Sequence, residues 1–241
     1  MLRLEKIHKS YGSLKVIHDL SCNLSQGEML GIIGPNGAGK TTLFSAISGQ
    51  ISVDRGKVFF MEEEVTGLPA FKRCMAGIGR TFQIPRPFHG MTIFENARVA
   101  ANFGAGLSGK KADDFAIRAI ELSGLDDRLN TPCSSLSLLD RKRLELARAL
   151  STDPKLLLLD EIAGGLIDNE IQELIGILKL IRKRGISIIW IEHIVHALTS
   201  CVDRLMVINF GSKIAEGNPD TVMALPEVHE IYMGLDAENA A

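Results

Sequence analysis

Gly34, Pro35, Asn36, Gly37, Ala38, Gly39, Lys40, Thr41 and Thr42 form the segment that most constrains what this chain can become. A glycine, four residues and then Gly-Lys-Thr is the spelling of a loop that wraps a chain of phosphates. Glycines let the backbone turn around an anion with no Cβ in the way, so successive N–H groups point inward. Lys40 is placed to reach β- and γ-phosphates as a mobile point charge, and the Thr41 hydroxyl to ligate Mg²⁺. The apolar run 29–33 ahead of the loop reads as a buried strand. Residues 42–48 behind it read as a helix whose N-terminus faces the anion. A plain glycine turn is the competing reading, and the flanking strand, the flanking helix and the Lys-Thr pair all weigh against it.

At 241 residues the chain can bury a substantial core, with 46% hydrophobic and 23% charged residues, as in ordinary globular proteins. A net charge of −2, without any long Lys/Arg run, gives no footprint for nucleic acid, which is not expected as a partner. Cys22, Cys74, Cys133 and Cys201 are scattered with no Cys-x-x-Cys pair, so reduced thiols are expected and neither disulfides nor a zinc site. The polar, alternating opening residues read as a strand and not as a signal peptide. The apolar runs 156–159 and 186–191 are far too short to span a bilayer, so the chain is not expected to enter a membrane by itself.

Strands are expected over 2–7, 16–24, 57–60 and 78–82, with a short helix over 69–75. From 85 to about 150 the texture turns helical, over 92–102, 112–122 and 140–150, with a glycine-rich joint at 104–109. That stretch, 85–150, is expected to be an α-helical subdomain inserted into one nucleotide-binding domain spanning 1–241. Strand–helix alternation then returns: strand 155–159, helix 169–184, strand 187–191, helix 195–200. A hairpin follows over 205–209 and 213–216, and short helices over 219–234. The expected fold class is α/β: a P-loop core with a parallel sheet, an N-terminal antiparallel β subdomain and the helical insert.

Five further positions are candidates for chemistry. The apolar strand 156–159 ends in Asp160 and Glu161. Behind a phosphate loop, Asp160 is assigned to Mg²⁺ and Glu161 to the general base that polarises the attacking water. His193 ends the next strand, where a neutral imidazole reaches a γ-phosphate oxygen. Gln83 closes the strand over 78–82, and its amide is placed to sense Mg²⁺ or the water. Tyr11, in a turn, offers a ring for adenine to stack on. Alone, the last three are weak signals: strand-end glutamines and satisfied structural histidines are common, and a turn aromatic is often just half-buried.

The phosphate loop, Gln83, the helical insert, Ser137 ahead of a basic helix, the Leu-Leu-Leu-Leu-Asp-Glu run and His193 occur in the order found in ATP-binding-cassette ATPases. The chain resembles that superfamily over nearly its whole length. More narrowly it is similar to the ATPase subunits of bacterial branched-chain amino acid importers, through segments 80–88, 91–96, 214–219 and 226–234. The resemblance implies that Tyr11 stacks on adenine, that Gly34 to Thr42 hold the phosphates of ATP, and that Gln83 links the γ-phosphate and its Mg²⁺ to a transmembrane partner. His193 is then the switch histidine. Two ATPase subunits would sandwich two ATP molecules and drive two transmembrane permease subunits fed by an extracytoplasmic substrate-binding protein. The chain would then sit peripherally on the cytoplasmic face of the cell membrane, receiving a short permease helix near 84–88.

Two departures qualify the resemblance. The family's signature loop reads Leu-Ser-Gly-Gly-Gln; here it is Leu136, Ser137, Leu138, Leu139, Asp140. Leucine side chains obstruct the approach of a helix N-terminus to the partner's γ-phosphate, and Asp140 is expected to repel it. Ile162 and Ile167 also stand where the family has proline and a polar residue. A subunit that binds MgATP but completes its partner's site poorly is therefore expected, favouring a heterodimer over a homodimer. A regulatory or degenerate nucleotide-binding subunit with weak hydrolysis is the alternative. A soluble cassette ATPase of DNA repair or translation is a third reading, disfavoured because no long coiled-coil insert or second cassette is present.

Overall fold

The computed structural model describes residues 1–231, so the end of the segment 226–234 lies outside the described residues. The first stretch carries β1 (Leu2–Tyr11), β2 (Leu14–Leu24), β3 (Met29–Ile33), α1 (Lys40–Ser48), β4 (Arg55–Phe60) and β5 (Glu63–Glu64). The middle carries α2 (Ala70–Ala76), β6 (Ile78–Arg80), α3 (Ile93–Phe103), α4 (Gly109–Leu122), α5 (Leu138–Leu150), β7 (Leu156–Asp160), α6 (Asp168–Lys183) and β8 (Ser187–Ile191). The last carries α7 (Val195–Thr199), β9 (Arg204–Asn209), β10 (Ser212–Gly217) and α8 (Pro219–Met223). These elements fall into two units, one of Met1–Pro69 with the chain from Ile189 onward, the other Ala70–Ile188.

In the first unit, β2-β1-β4-β5 form an antiparallel sheet. β1 buries Leu2 and Leu4 and exposes Arg3, as period-two alternation demands. The alternation slips at Lys6, whose φ of 47° marks a bulge; pairing jumps from Leu4↔Cys22 to Ile7↔Leu20, and Ile7 turns inward. Gly56 on β4 closes against this bulge: a Cβ there would lie 2.4 Å from the Lys6 carbonyl oxygen. β3 is buried throughout, the pattern of a strand covered on both faces. It runs parallel to β9, Leu30 opposite Arg204 and Ile33 opposite Val207, and β9 turns into β10 as an antiparallel hairpin.

In the second unit, β6 runs parallel to β7, Ile78 opposite Leu156 and Arg80 opposite Leu158. β6 ends at Arg80, two residues before the expected boundary, so Gln83 lies in the following loop and not at a strand end. α3, α4 and α5 enclose a core of Ile93, Ala97, Ala116, Ile120, Leu125, Cys133, Leu136, Leu144 and Ala147. Thr92 opens α3 with a capping box: its hydroxyl accepts from Glu95 N at 3.2 Å while Glu95 Oε2 accepts from Thr92 N at 2.8 Å. α5 starts at Leu138 and not at Asp140, because the Ser137 hydroxyl accepts from Asp140 N at 3.1 Å and so caps the helix.

Leu144 is 1% exposed in this helical core. Leu144→Ala is expected to cost about 2–5 kcal/mol of unfolding free energy in urea titration. A loss below about 1 kcal/mol would mean that α5 does not pack as described.

Candidate functional site

The loop between β3 and α1 is hemmed in by main chain. Gly34 has φ 155°, and a Cβ there would meet the Ile208 carbonyl oxygen at 2.0 Å. At Gly39, φ 100°, the obstacle is the Val16 carbonyl oxygen at 2.7 Å. Gly211, in the β9–β10 turn, donates its N–H to Ala38 O at 3.1 Å and accepts from His18 N at 2.9 Å. Strand β2 and the hairpin thus fix the back of the loop. Gly37 is different: nothing lies within 4 Å of its missing Cβ, and only its φ of 80° calls for glycine.

Lys40 opens α1 and is 7% exposed. Its ammonium donates to Gly34 O at 2.6 Å and Pro35 O at 2.9 Å, so the charge rests on the carbonyls of the loop itself. Asn36 and Thr41 are exposed, Pro35 and Thr42 half-buried and Ala38 buried. Tyr11 ends β1 with about half its surface exposed, and Lys9 Nζ lies 5.3 Å from its ring centroid.

His193 follows β8 with its imidazole largely exposed. Directly before it, Glu192 is 0% exposed. Its carboxylate accepts from the Trp190 indole at 3.3 Å and from His193 N at 3.3 Å, and Glu192 N donates to Ile32 O at 3.3 Å. Glu192 is a residue that sequence reading passed over. An acid at the end of an apolar strand, next to an aromatic donor two residues back, was its only signal.

In the second unit, Asp160 ends β7 with 3% exposure. Its Oδ2 accepts from Arg80 Nη2 at 3.1 Å, and its N–H donates to the Thr81 hydroxyl at 3.2 Å. Burial lowers the Arg80 pKa from its ordinary value, and the Asp160 charge opposes that shift. Glu161 sits at φ 46°, a left-handed backbone that non-glycine residues hold only where their surroundings impose it. The Gln83 amide donates to Glu161 Oε2, so these two predicted residues touch through their side chains.

Ser137 and Asp140 are also brought together. The Ser137 hydroxyl donates to Asp140 Oδ2 at 2.8 Å, and Arg128 Nη1 reaches the same oxygen at 2.6 Å. The Asp140 carboxylate is thus 5% exposed and ion-paired within its own unit. Leu138 is exposed and Leu139 half-buried.

Thr41, Gln83 and Asp160 offer a hydroxyl, an amide oxygen and a carboxylate. Each of these oxygen donors, taken by itself, suits a hard cation such as Mg²⁺ better than zinc. Among the described residues no group of three or more His, Cys, Asp or Glu could hold a metal ion.

The profile of the ABC transporter family matches residues 17–164. The chain is 34% identical, over 97% of its length and 98% of the relative's, to LivG of Salmonella typhimurium, a high-affinity branched-chain amino acid transport ATP-binding protein. It is 33% identical, over 97% of both chains, to LptB of Haemophilus influenzae, a lipopolysaccharide export system ATP-binding protein. A solved ATP-binding cassette of an ABC transporter in its ADP conformation superposes with a TM-score of 0.88 at 30% identity, covering 97% of this chain and 98% of that one. A phosphate loop backed by main chain, carboxylates ending a buried strand, and similarity over nearly the full length agree: the chain belongs to the ABC transporter family, as one of its ATP-binding cassettes.

Proposed function

We propose that this chain is the ATP-hydrolysing subunit of a membrane importer, with branched-chain amino acids as its cargo. The observation that carries the enzymatic part is the contact between the Gln83 amide and the Glu161 carboxylate, one residue beyond buried Asp160. The cargo is supported by the likeness to LivG and by the segments 80–88, 91–96 and 214–219. LptB, equally similar and named for export, is why direction and cargo need their own experiment.

The N–H groups of residues 34–42 would bind the triphosphate, and Lys40 would exchange its loop carbonyls for β- and γ-phosphate oxygens. Tyr11 would stack on adenine. Thr41, Gln83 and Asp160 would supply oxygen ligands to Mg²⁺, which when bound offsets charge on the β- and γ-phosphates. Glu161 takes a proton from water as the water oxygen attacks the γ-phosphorus and the bond to the β–γ bridging oxygen breaks, leaving ADP and phosphate. Gln83, hydrogen-bonded to Glu161, orients that carboxylate. His193 would hydrogen-bond a γ-phosphate oxygen, its backbone held by Glu192.

Ser137 and the start of α5 would address ATP on a second cassette subunit. Leu138 and Leu139 hinder that approach, whereas the charge of Asp140 is neutralised by Arg128, so a heterodimer is the favoured assembly. Two permease subunits would meet the segment 84–88, where Ile84 is 71% and Phe88 45% exposed. A substrate-binding protein would act on the far side of the membrane, with this chain peripheral on the cytoplasmic face. Among the described residues no helix is long and apolar enough to cross a membrane.

Glu161→Gln should keep MgATP binding and slow single-turnover hydrolysis at least about a hundredfold. An unchanged rate would remove Glu161 as the base. In titrations with a fluorescent ATP analogue, Gly34→Val should abolish binding, because its Cβ collides with the Ile208 carbonyl. Gly37→Ala, with open space, should cost only about 1–2 kcal/mol of backbone strain. Equal losses would contradict the packed-loop explanation. Replacing Leu138 and Leu139 together by glycine should raise turnover of the isolated chain; no rise would show that obstruction is not what limits it.

A further inference from the structure

We propose that Lys142 is a positioning residue that clamps the Gln83 loop and the Glu161 turn to α5 as one body. The catalytic meaning of this clamp rests on the ATP-hydrolysis reading above; its geometry does not. Lys142 lies on the second turn of α5 and is only 4% exposed. A buried ammonium is costly unless its protons are hydrogen-bonded, and here Nζ donates to Gln83 O at 3.0 Å and to Glu161 O at 3.1 Å. Those carbonyls belong to the two residues whose side chains also meet. One cation therefore fixes, from the main-chain side, the geometry of the pair proposed to position and deprotonate water.

Two further observations favour a positioning role over simple packing. Glu161 has left-handed backbone at φ 46°, a conformation that needs something to hold it, and Lys142 grips its carbonyl. Farther along α5, at helical spacing, Glu145 Oε2 accepts from Arg86 N at 3.4 Å and Arg148 Nη1 donates to Arg86 O at 2.7 Å. The Arg148 guanidinium also covers the Phe88 ring at 5.2 Å. Lys142, Glu145 and Arg148 thus form a polar stripe that splints the main chain from Gln83 to Phe88, and Lys142 extends it to Glu161. Because α5 is a continuous helix from its Ser137 cap, a shift at its N-terminus would carry Gln83 and Glu161 along together.

Lys142→Met keeps the length and removes the donors; Lys142→Arg keeps charge and donors. Amide hydrogen exchange on the full chain is the direct test, with single-turnover hydrolysis as its functional companion. In the Met variant, peptides covering 81–85 and 160–164 should both exchange about tenfold faster or more, while 144–150 stays protected. MgATP binding should persist and hydrolysis slow at least about tenfold. The Arg variant should recover most of the protection. Unchanged exchange in either segment of the Met variant, or acceleration in one alone, would overturn the clamp. Should α5 itself lose protection in the Met variant, the Arg variant decides: both segments protected supports the clamp, either one exposed rejects it. Failure of the unaltered chain to bind MgATP would sink the functional reading instead, leaving exchange to judge the clamp separately.

Discussion

Main-chain N–H groups can surround an anion only where the main chain is free to turn left-handed and nothing projects from it. In this protein that condition is enforced from behind. The Ile208 and Val16 carbonyls stand where Cβ atoms of Gly34 and Gly39 would be, and the Gly211 N–H reaches in to donate a hydrogen bond to Ala38 O. The loop cannot relax away from its geometry without disturbing β2, β9 and the turn into β10. Burial of β3 on both faces and the parallel pairing of β3 with β9 bring Ile208 to that position. Much of the first unit is thus arranged to hold a few peptide groups still, which is how a protein aims fixed dipoles at charge.

The second unit solves a different electrostatic problem. It buries Asp160, Asp140 and Lys142 and half-buries Arg80, and does so by giving each charge an opposite charge or a set of peptide dipoles. Breaking one partner of such a set leaves an uncompensated buried charge, so these contacts specify geometry more than they add stability. Glu145 shows the remaining cost: burial raises its pKa, and Arg148 with the Arg86 N–H only partly opposes that shift.

What could be read from the sequence is what depends on local rules. The buried strands at β3, β7 and β8 came from uninterrupted apolar runs, and the phosphate loop from glycine spacing. Boundaries moved where a side chain intervened: the Ser137 hydroxyl starts α5 two residues early, and β6 stops at Arg80, leaving Gln83 in a loop. The β1 bulge at Lys6 was invisible because only its partner strands, through Gly56, reveal the need for it. Arg80, Arg128, Lys142 and Glu192 also escaped notice. Arg80, Arg128 and Lys142 are ordinary charged residues in ordinary positions until the fold delivers a partner from elsewhere in the sequence, as with Lys142 and Gln83 or Arg80 and Asp160, whereas the carboxylate partners of Glu192 are its near neighbours Trp190 and His193. The ion pair of Asp140 with Arg128 is likewise illegible in the sequence.

Whether the loop cradles a triphosphate through the Lys40 ammonium is the question on which everything downstream turns. Isothermal calorimetry of MgATP with the intact chain and with Lys40→Met answers it. One nucleotide bound per chain, weakened at least about tenfold by loss of the ammonium, is the expected result. Equal affinity in both proteins, or no heat of binding in the well-folded unaltered chain, would contradict it.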